Sequence, residues 1–350
     1  MKKILVDLTK IANLYSGLGQ FSAQFGKYLS EEYSHEFDFH FLVPRKHDLQ
    51  FSHLITEVKV RPIFKFWKAS HEQYDLWHSL YQFPSYKPSD SFKQLLTIHD
   101  LNFLIEKTGS KQEKYQKRMN ADVKRADYLS TISNFSKQQI KNQLTVSSKR
   151  INVIHNGVAD LTSINPQLPK FELPKKFFFS ISLFSPKKNF DVLLPMMRQF
   201  PDFKLILAGN HENAYGDQLK RLITSQGLEQ QVIMPGIISE AEKTQLYKSC
   251  SAFLFPSKAE GFGLPVVEAL QFGKPVFLSK LTSLPEIGGT AASFFESFDH
   301  LHMADLIKSE LDKFDYDPVL YGDRLKKQAS KYTWKKCMQK YIQLYHECTQ

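Results

Sequence analysis

The sequence predicts an α/β protein built as two successive doubly wound, Rossmann-like domains. Three observations carry that reading. Short runs rich in β-branched and aromatic residues alternate with longer stretches whose apolar residues recur at helical spacing, the pattern of parallel sheets covered on both faces. The alternation runs through the first half of the chain, stops, and then restarts. Between the two series lies 160–176, DLTSINPQLPKFELPKK, which has three prolines, little periodicity and the composition of a linker.

In chain order, the first series offers strands at 4–6, 37–43, 76–79, 95–98, 128–132 and 151–154, with helical patterns at 19–32 and 112–126. The second offers strands at 177–183, 205–207, 232–234, 252–255 and 276–278, with helices at 216–226, 240–250 and 265–272. A last helical segment spans 334–345. The expected organisation is an N-terminal domain over 1–165, a C-terminal domain over 166–330 and a final helix over 331–350. No internal repeat of 20–50 residues is visible.

Composition narrows the class. With 42% hydrophobic and 13% aromatic residues in 350, the chain can fill full cores, which excludes global disorder. Ordinary glycine (15) and proline (16) counts exclude collagen-like and low-complexity chains. No stretch approaches the ~18 apolar residues of a membrane-spanning helix. The start, MKKILVDLTK, is too short in apolar residues for a secretory signal and reads as a first strand. Cys250, Cys337 and Cys348 are odd in number and far apart, which argues against a disulfide framework or zinc cluster and for a reducing, cytoplasmic setting. The net charge of +10 (pI near 9.2) favours phosphate-bearing partners: nucleotides, nucleic acid or anionic lipid. Nothing resembles a recognition helix, zinc finger or RNA-binding strand motif, so nucleic acid is set aside.

The most informative segment is 255–275, FPSKAEGFGLPVVEALQFGKP. A buried strand ends at Phe255, the loop Glu260-Gly261-Phe262-Gly263 follows, Pro265 sits where a helix would start, and Gly273 and Pro275 stop it. Backbone N–H groups and the helix dipole at such a start form an anion site. Glu260 lies in the loop and Glu268 about one turn into the helix. Two carboxylates eight residues apart suit a ligand with hydroxyls at both ends and phosphates between, such as a nucleotide sugar. The bland alternative is a surface glutamate after a glycine turn, since a lone glycine loop is weak evidence.

This segment resembles the E-x7-E signature of the retaining glycosyltransferases of family 4, which have the GT-B fold. VIMPGIISEAEKTQLYKSCSAFLFPS before it and PVFLSKLTSLPEIGG after it are also similar to that family, as are INVIHNGV (151–158), ADYLSTISNFSK (126–137) and LLTIHDLNFL (95–104). The resemblance implies two Rossmann-like domains facing a central cleft, with the last helix crossing back to the first domain. It implies that Glu268 holds the ribose hydroxyls and that Glu260 contacts the transferred sugar. Gly261, Phe262, Gly263 and Leu264 would then present backbone amides to sugar and diphosphate, and backbone near Gly236 and Ile237 would meet the base. Pro186-Lys187-Lys188-Asn189 is similar to the family's phosphate loop, usually P-R-K-N. Lys188 fits the phosphate lysine, whereas Lys187 replaces an arginine and loses its bidentate fork. Ser182 stands where a glycine is common. Gly17-Leu18-Gly19 resembles the N-terminal glycine loop that approaches donor and acceptor, with a plain turn as the alternative. His99, after a strand end, faces the transferred sugar in related enzymes, though a lone histidine is more often structural. His78 is placed similarly and ranks lower.

Two patterns read as decoys. Asp315-Tyr316-Asp317 spells a metal-type D-x-D in a polar segment, and Asp38 and His40 read as the solvent side of a strand. No metal or other cofactor is expected, the nucleotide sugar being a co-substrate. The acceptor is expected to be a saccharide or lipid-linked molecule. Arg61-Pro62-Ile63-Phe64-Lys65-Phe66-Trp67-Lys68 interleaves cations with aromatics, and 107–150 carries eleven Lys/Arg against three Asp/Glu, a net +8. Such surfaces suit anionic lipid headgroups at the cytoplasmic face of the inner membrane. The resulting expectation is a retaining, metal-independent hexosyltransferase, GDP- or UDP-sugar dependent and mannosyltransferase-like, in bacterial surface-polysaccharide or lipopolysaccharide synthesis. The alternative is a non-catalytic GT-B relative, or one of another reaction type such as a sugar-nucleotide epimerase or phosphorylase.

Overall fold

The computed structural model describes residues 1–14, 16–60, 73–88, 91–146 and 148–350. They form two compact units: Met1–Gly157 with Trp334–Gln350, and Val158–Thr333. The first division lies ahead of the proline-rich segment rather than at 165/166, and hydrogen bonding explains why. The Val158 N–H donates to the Tyr332 carbonyl at 2.9 Å, and Val158 bridges Thr333. The Leu161 N–H donates to Gln271 Oε1 at 3.0 Å, and Gln271 Nε2 donates back to the Ala159 carbonyl at 2.8 Å. The segment that reads as a linker is therefore tied into the second unit.

The first unit holds β1 (Lys3–Asp7), β2 (Asp38–Val43), β3 (Thr56–Lys59), β4 (Leu76–Ser79), β5 (Lys93–Ile98), β6 (Tyr128–Thr131) and β7 (Ile151–Val153). All pairs are parallel, in the order β3-β2-β1-β4-β5-β6-β7. Alternate residues of β1 serve the two faces: Ile4 and Val6 enter one core, Leu5 another. The C-terminal helix Trp334–Thr349 belongs to this unit. Trp334, Cys337, Met338, Tyr341, Tyr345 and Cys348, spaced three or four apart, make its buried face. All three cysteines are free and buried. His40, expected on the solvent side of β2, is instead buried between Tyr74 (Nδ1 to OH, 3.3 Å) and Asp38 (Nε2 to Oδ1, 3.3 Å). A parallel strand covered on both faces has no solvent side.

The second unit holds β8 (Phe177–Ile181), β9 (Lys204–Ala208), β10 (Val232–Gly236), β11 (Ala252–Phe255), β12 (Val276–Ser279) and β13 (Ser293–Phe295), again all parallel, in the order β10-β9-β8-β11-β12-β13. Two-sided burial explains the unbroken apolar β8. Phe178 packs against Phe200 and Phe203 on one face, and Phe179 against Tyr247 and Phe253 on the other. In both sheets the strand order reverses beside the first strand, between β1 and β4 and between β8 and β11. Open parallel sheets receive ligands outside the carboxyl ends of the strands at that point.

Candidate active site

At the reversal point of the second unit, the loops that leave β8 and β11 meet. The turn Pro186–Lys188 ends at Asn189 in the left-handed region (φ 59°), which asparagine tolerates better than most residues. This brings the Lys187 carbonyl against the next loop, where it accepts from the Lys258 N–H at 2.7 Å and from Ser257 Oγ at 3.2 Å. Lys188 Nζ then reaches Glu260 Oε1 at 2.5 Å and lies 5.4 Å from the centre of the Phe255 ring. Both charged side chains are nearly buried, 11% and 12% exposed, so solvent screens the pair far less than a surface ion pair.

The Glu260 loop is pinned by the last residue of β12 and the segment after it. The Glu260 N–H donates to Thr282 Oγ1 at 3.2 Å. Ser283 Oγ lies 3.1 Å from the Glu260 carbonyl and 3.2 Å from that of Phe262, and Ser279 Oγ donates to the Ser257 carbonyl at 2.5 Å. Thr282 has φ 57°, a strained conformation for a β-branched residue that costs on the order of 1–3 kcal/mol and persists only when its surroundings enforce it. Sequence reading quoted the PVFLSKLTSLPEIGG segment but gave these three hydroxyl residues no task; hydroxyl residues at and after the end of a buried strand were their only signal.

The chain next enters the helix Leu264–Gln271. Gly263 is its N-cap at φ 98°, where a Cβ would come within 2.9 Å of Leu284 Cδ2. A glycine cap offers no side-chain acceptor, so none satisfies the helix N–H groups and the positive dipole end. The Phe262 side chain is committed to the core against Tyr332 (5.5 Å, edge-on). One turn on, Glu268 is held by two residues that sequence reading passed over. Lys243 Nζ donates to Oε1 at 3.2 Å, and the Tyr247 hydroxyl to Oε2 at 3.0 Å. Burial works to lower the Lys243 pKa, yet Glu268 and Glu240 beside it raise it above its ordinary value. Burial, reinforced by Glu268, pushes the Tyr247 phenol well above its usual range, so it stays a donor. At the end of β10, Gly236 has φ 81° and Ile237 is 67% exposed.

The candidates in the first unit are built differently. Gly17 and Gly19 do not form a loop: both lie in the first turn of the helix Gly17–Glu32, capped by Ser16 Oγ accepting from the Gly19 N–H at 3.0 Å. A Cβ on Gly19 would sit 1.9 Å from the Asn13 carbonyl oxygen, whereas one on Gly17 would meet nothing within 4 Å. His99 follows β5 and is buried. Its Nε2 bonds the Leu80 carbonyl at 2.8 Å and its ring meets Phe21 edge-on at 4.9 Å. Burial lowers its pKa to about 4 against the opposing Leu80 bond, so it is neutral near pH 7. His78 lies within β4 in a buried network with Tyr345 (2.6 Å) and Thr97 (2.8 Å), which fastens the C-terminal helix to the sheet.

Of the D-x-D triplet, Tyr316 is 93% exposed and Asp317 caps the next helix by accepting from the Leu320 N–H at 2.9 Å. Among the described residues no group of acidic, histidine or cysteine side chains could hold a metal, and no helix is long and apolar enough to cross a membrane. The segment Arg61–Lys68 lies outside the described residues. Within 107–150, Asp122 is buried against Lys87 at 2.7 Å, and Lys149 Nζ caps the helix Gly109–Arg125 through the carbonyls of Val123, Lys124 and Ala126. Lys111, Lys114, Lys117, Arg118 and Lys124 remain exposed.

Two parallel sheets of matching Rossmann order, the second with a cation, a carboxylate and an uncapped helix start at its reversal point, make up a GT-B fold. Residues 164–315 match the family described as glycosyl transferases group 1. The chain is 27% identical over 268 residues to the serotype-specific mannosyltransferase WbdA of Escherichia coli, covering 71% of this chain and 33% of that protein. It thus spans about a third of the length of the first such relatives. It is 26% identical to the O-antigen chain mannosyltransferase B of Escherichia coli over 74% of this chain and 72% of that one. The fold is that of the sucrose-phosphate synthase of Thermosynechococcus elongatus, with a TM-score of 0.79, 17% identity and 99% of each chain covered.

Proposed function

We propose that this chain transfers a hexosyl group from a GDP- or UDP-linked sugar to a saccharide or lipid-linked acceptor, with retention of configuration and without a metal. The observation that supports it most is the Lys188–Glu260 pair beside the uncapped start of the helix Leu264–Gln271. A dinegative diphosphate at that start would draw Lys188 and the helix N–H groups onto its oxygens, and Lys187 would add charge at the rim. The same groups would stabilise the charge that develops on the departing diphosphate, the work a metal would otherwise do. Gly261, Phe262, Gly263 and Leu264 offer backbone to the sugar and phosphates, Glu268 accepts the ribose hydroxyls, and Gly236 with Ile237 borders the base. Glu260, released from Lys188, contacts the transferred sugar. Among the described residues no carboxylate stands out as a nucleophile, which favours front-face displacement assisted by the leaving phosphate over a covalent sugar–enzyme intermediate.

The mannosyltransferase names of the relatives support a mannose-type donor and surface-polysaccharide or lipopolysaccharide synthesis. The exposed cations of the helix Gly109–Arg125 support a peripheral contact with anionic lipid at the cytoplasmic face of the inner membrane. The test is turnover. With a chelator present, GDP-mannose and UDP-glucose are offered with lipid-linked saccharide acceptors, diphosphate release is followed, and the product anomer is read by NMR. Release that depends on acceptor and yields the donor's anomer is expected. Inversion, or turnover only with added metal, contradicts the mechanism.

A further inference from the structure

The inference concerns how Glu268 is held, and it rests on the reading that Glu268 binds the ribose. Glu240, Lys243 and Tyr247 lie on one face of the helix Glu240–Ser249, three and then four residues apart. Lys243 is 8% exposed and divides its ammonium between Glu240 Oε1 at 2.9 Å and Glu268 Oε1 at 3.2 Å. Tyr247 is 1% exposed, and its hydroxyl lies 3.0 Å from the other Glu268 oxygen and 3.2 Å from the Pro265 carbonyl. A buried cation and a buried phenol are thus both spent on one carboxylate of the neighbouring helix. Packing alone does not call for that, because an apolar pair would fill the same space without the desolvation cost.

We infer that Lys243 and Tyr247 are positioning residues that present Glu268 to a vicinal diol. A carboxylate accepts about four hydrogen bonds, roughly two per oxygen. Lys243 takes one position on Oε1 and Tyr247 one on Oε2, which leaves one acceptor site on each oxygen. Two such sites on a carboxylate whose plane is fixed at both ends match the spacing of adjacent ribose hydroxyls. Lys243 also gives the carboxylate a cationic partner inside a nearly buried site, and Glu240 keeps Lys243 charged from the solvent side. Neither residue touches the ligand. They set how much of the ribose selectivity Glu268 can deliver.

The experiment measures dissociation constants of UDP and GDP, and of their 2′,3′-dideoxy forms, for the unaltered protein and for Lys243→Met, Tyr247→Phe and Glu268→Gln. The tighter-binding base is used throughout. The unaltered protein should prefer the ribonucleotide by at least about tenfold, the worth of one charge-assisted hydrogen bond. Lys243→Met should abolish most of that preference while leaving the dideoxy affinity within about twofold, and Tyr247→Phe should reduce it by about threefold. A merely structural role would weaken both nucleotides equally, and that result overturns the inference. Should Lys243→Met fail to fold, Tyr247→Phe, which only removes a hydroxyl, carries the test alone, and an unchanged preference overturns it. Glu268→Gln separates the two levels. If that variant keeps the full preference, or if no nucleoside diphosphate binds the unaltered protein, the ribose reading itself fails. If Glu268→Gln loses the preference and the other two variants keep it, only the positioning inference fails.

Discussion

The two units share a strand order but spend their polar groups in opposite ways. In the first, the groups at and near the reversal point are turned inward. His78 bonds Tyr345 and Thr97, His99 bonds the Leu80 carbonyl, and Gly19 exists to let the Asn13 carbonyl approach. In the second they form charge pairs: Lys188 with Glu260 where two loops meet, and Lys243 with Glu268 and Glu240 between two helices. Neutral buried networks rigidify. A nearly buried ion pair beside an open helix start is an arrangement that an incoming anion can rearrange. The same frame thus carries an inward-turned polar network in one unit and charge pairs beside an open helix start in the other.

The largest expected effect falls on the second unit. Glu260→Ala should lower turnover by about 10²–10⁴-fold with the far-ultraviolet circular dichroism retained; near-normal turnover would break the contrast, because Glu260 would then be as structural as His78. Next is a paired glycine test in the first unit. Gly19→Ala drives a Cβ into the Asn13 carbonyl and should cost several kcal/mol, on the order of the larger single-site effects. Gly17→Ala, in open space at a helix start, should be neutral or slightly stabilising in thermal denaturation. If Gly17→Ala nonetheless loses activity, the helix start serves the reaction as well as the fold.

Acid should act on the first unit. Burial holds His78 near pKa 3, with His99 adding to it, and holds His99 near 4, both below the ordinary 6.5. A depressed imidazole contributes stability above its unfolded pKa and loses it as protons bind the unfolded chain more readily. Urea midpoints should therefore fall from about pH 6.5 towards 4, and His78→Gln should flatten part of that slope; a midpoint independent of pH in this window would contradict the burial account. The smallest expected effect is Lys187→Arg, which restores a bidentate fork and should tighten donor binding by no more than a few fold in calorimetry.

Much of this was legible in the chain. The central strands were, because two-sided burial writes itself as apolar runs such as Phe177-Phe178-Phe179. The edges were not. β3 reads TEVK, polar because an edge is solvated and charged against pairing, and β13 is three residues long. The helices His300–Tyr316 and Pro318–Ala329 went unread because their outer faces are polar over most of their length. In the site, motif residues were visible while their supports were not. Lys243, Tyr247 and Thr282 matter through distances and one backbone angle, which no spacing rule encodes. His40 misled because an alternating polar residue in a strand normally marks a wet face, and here a second layer covers it.

The central claim is that the second unit binds a nucleoside-diphosphate sugar through Lys188, Glu260 and Glu268. The most direct measurement is thermal stabilisation by UDP-, GDP-, ADP- and dTDP-sugars, with a chelator, on the unaltered protein and on Glu268→Ala side by side. A ligand that binds only the folded state must raise the midpoint. One base should raise it in the unaltered protein and markedly less in the variant. Equal shifts in both proteins, or no shift with any donor, would contradict the account.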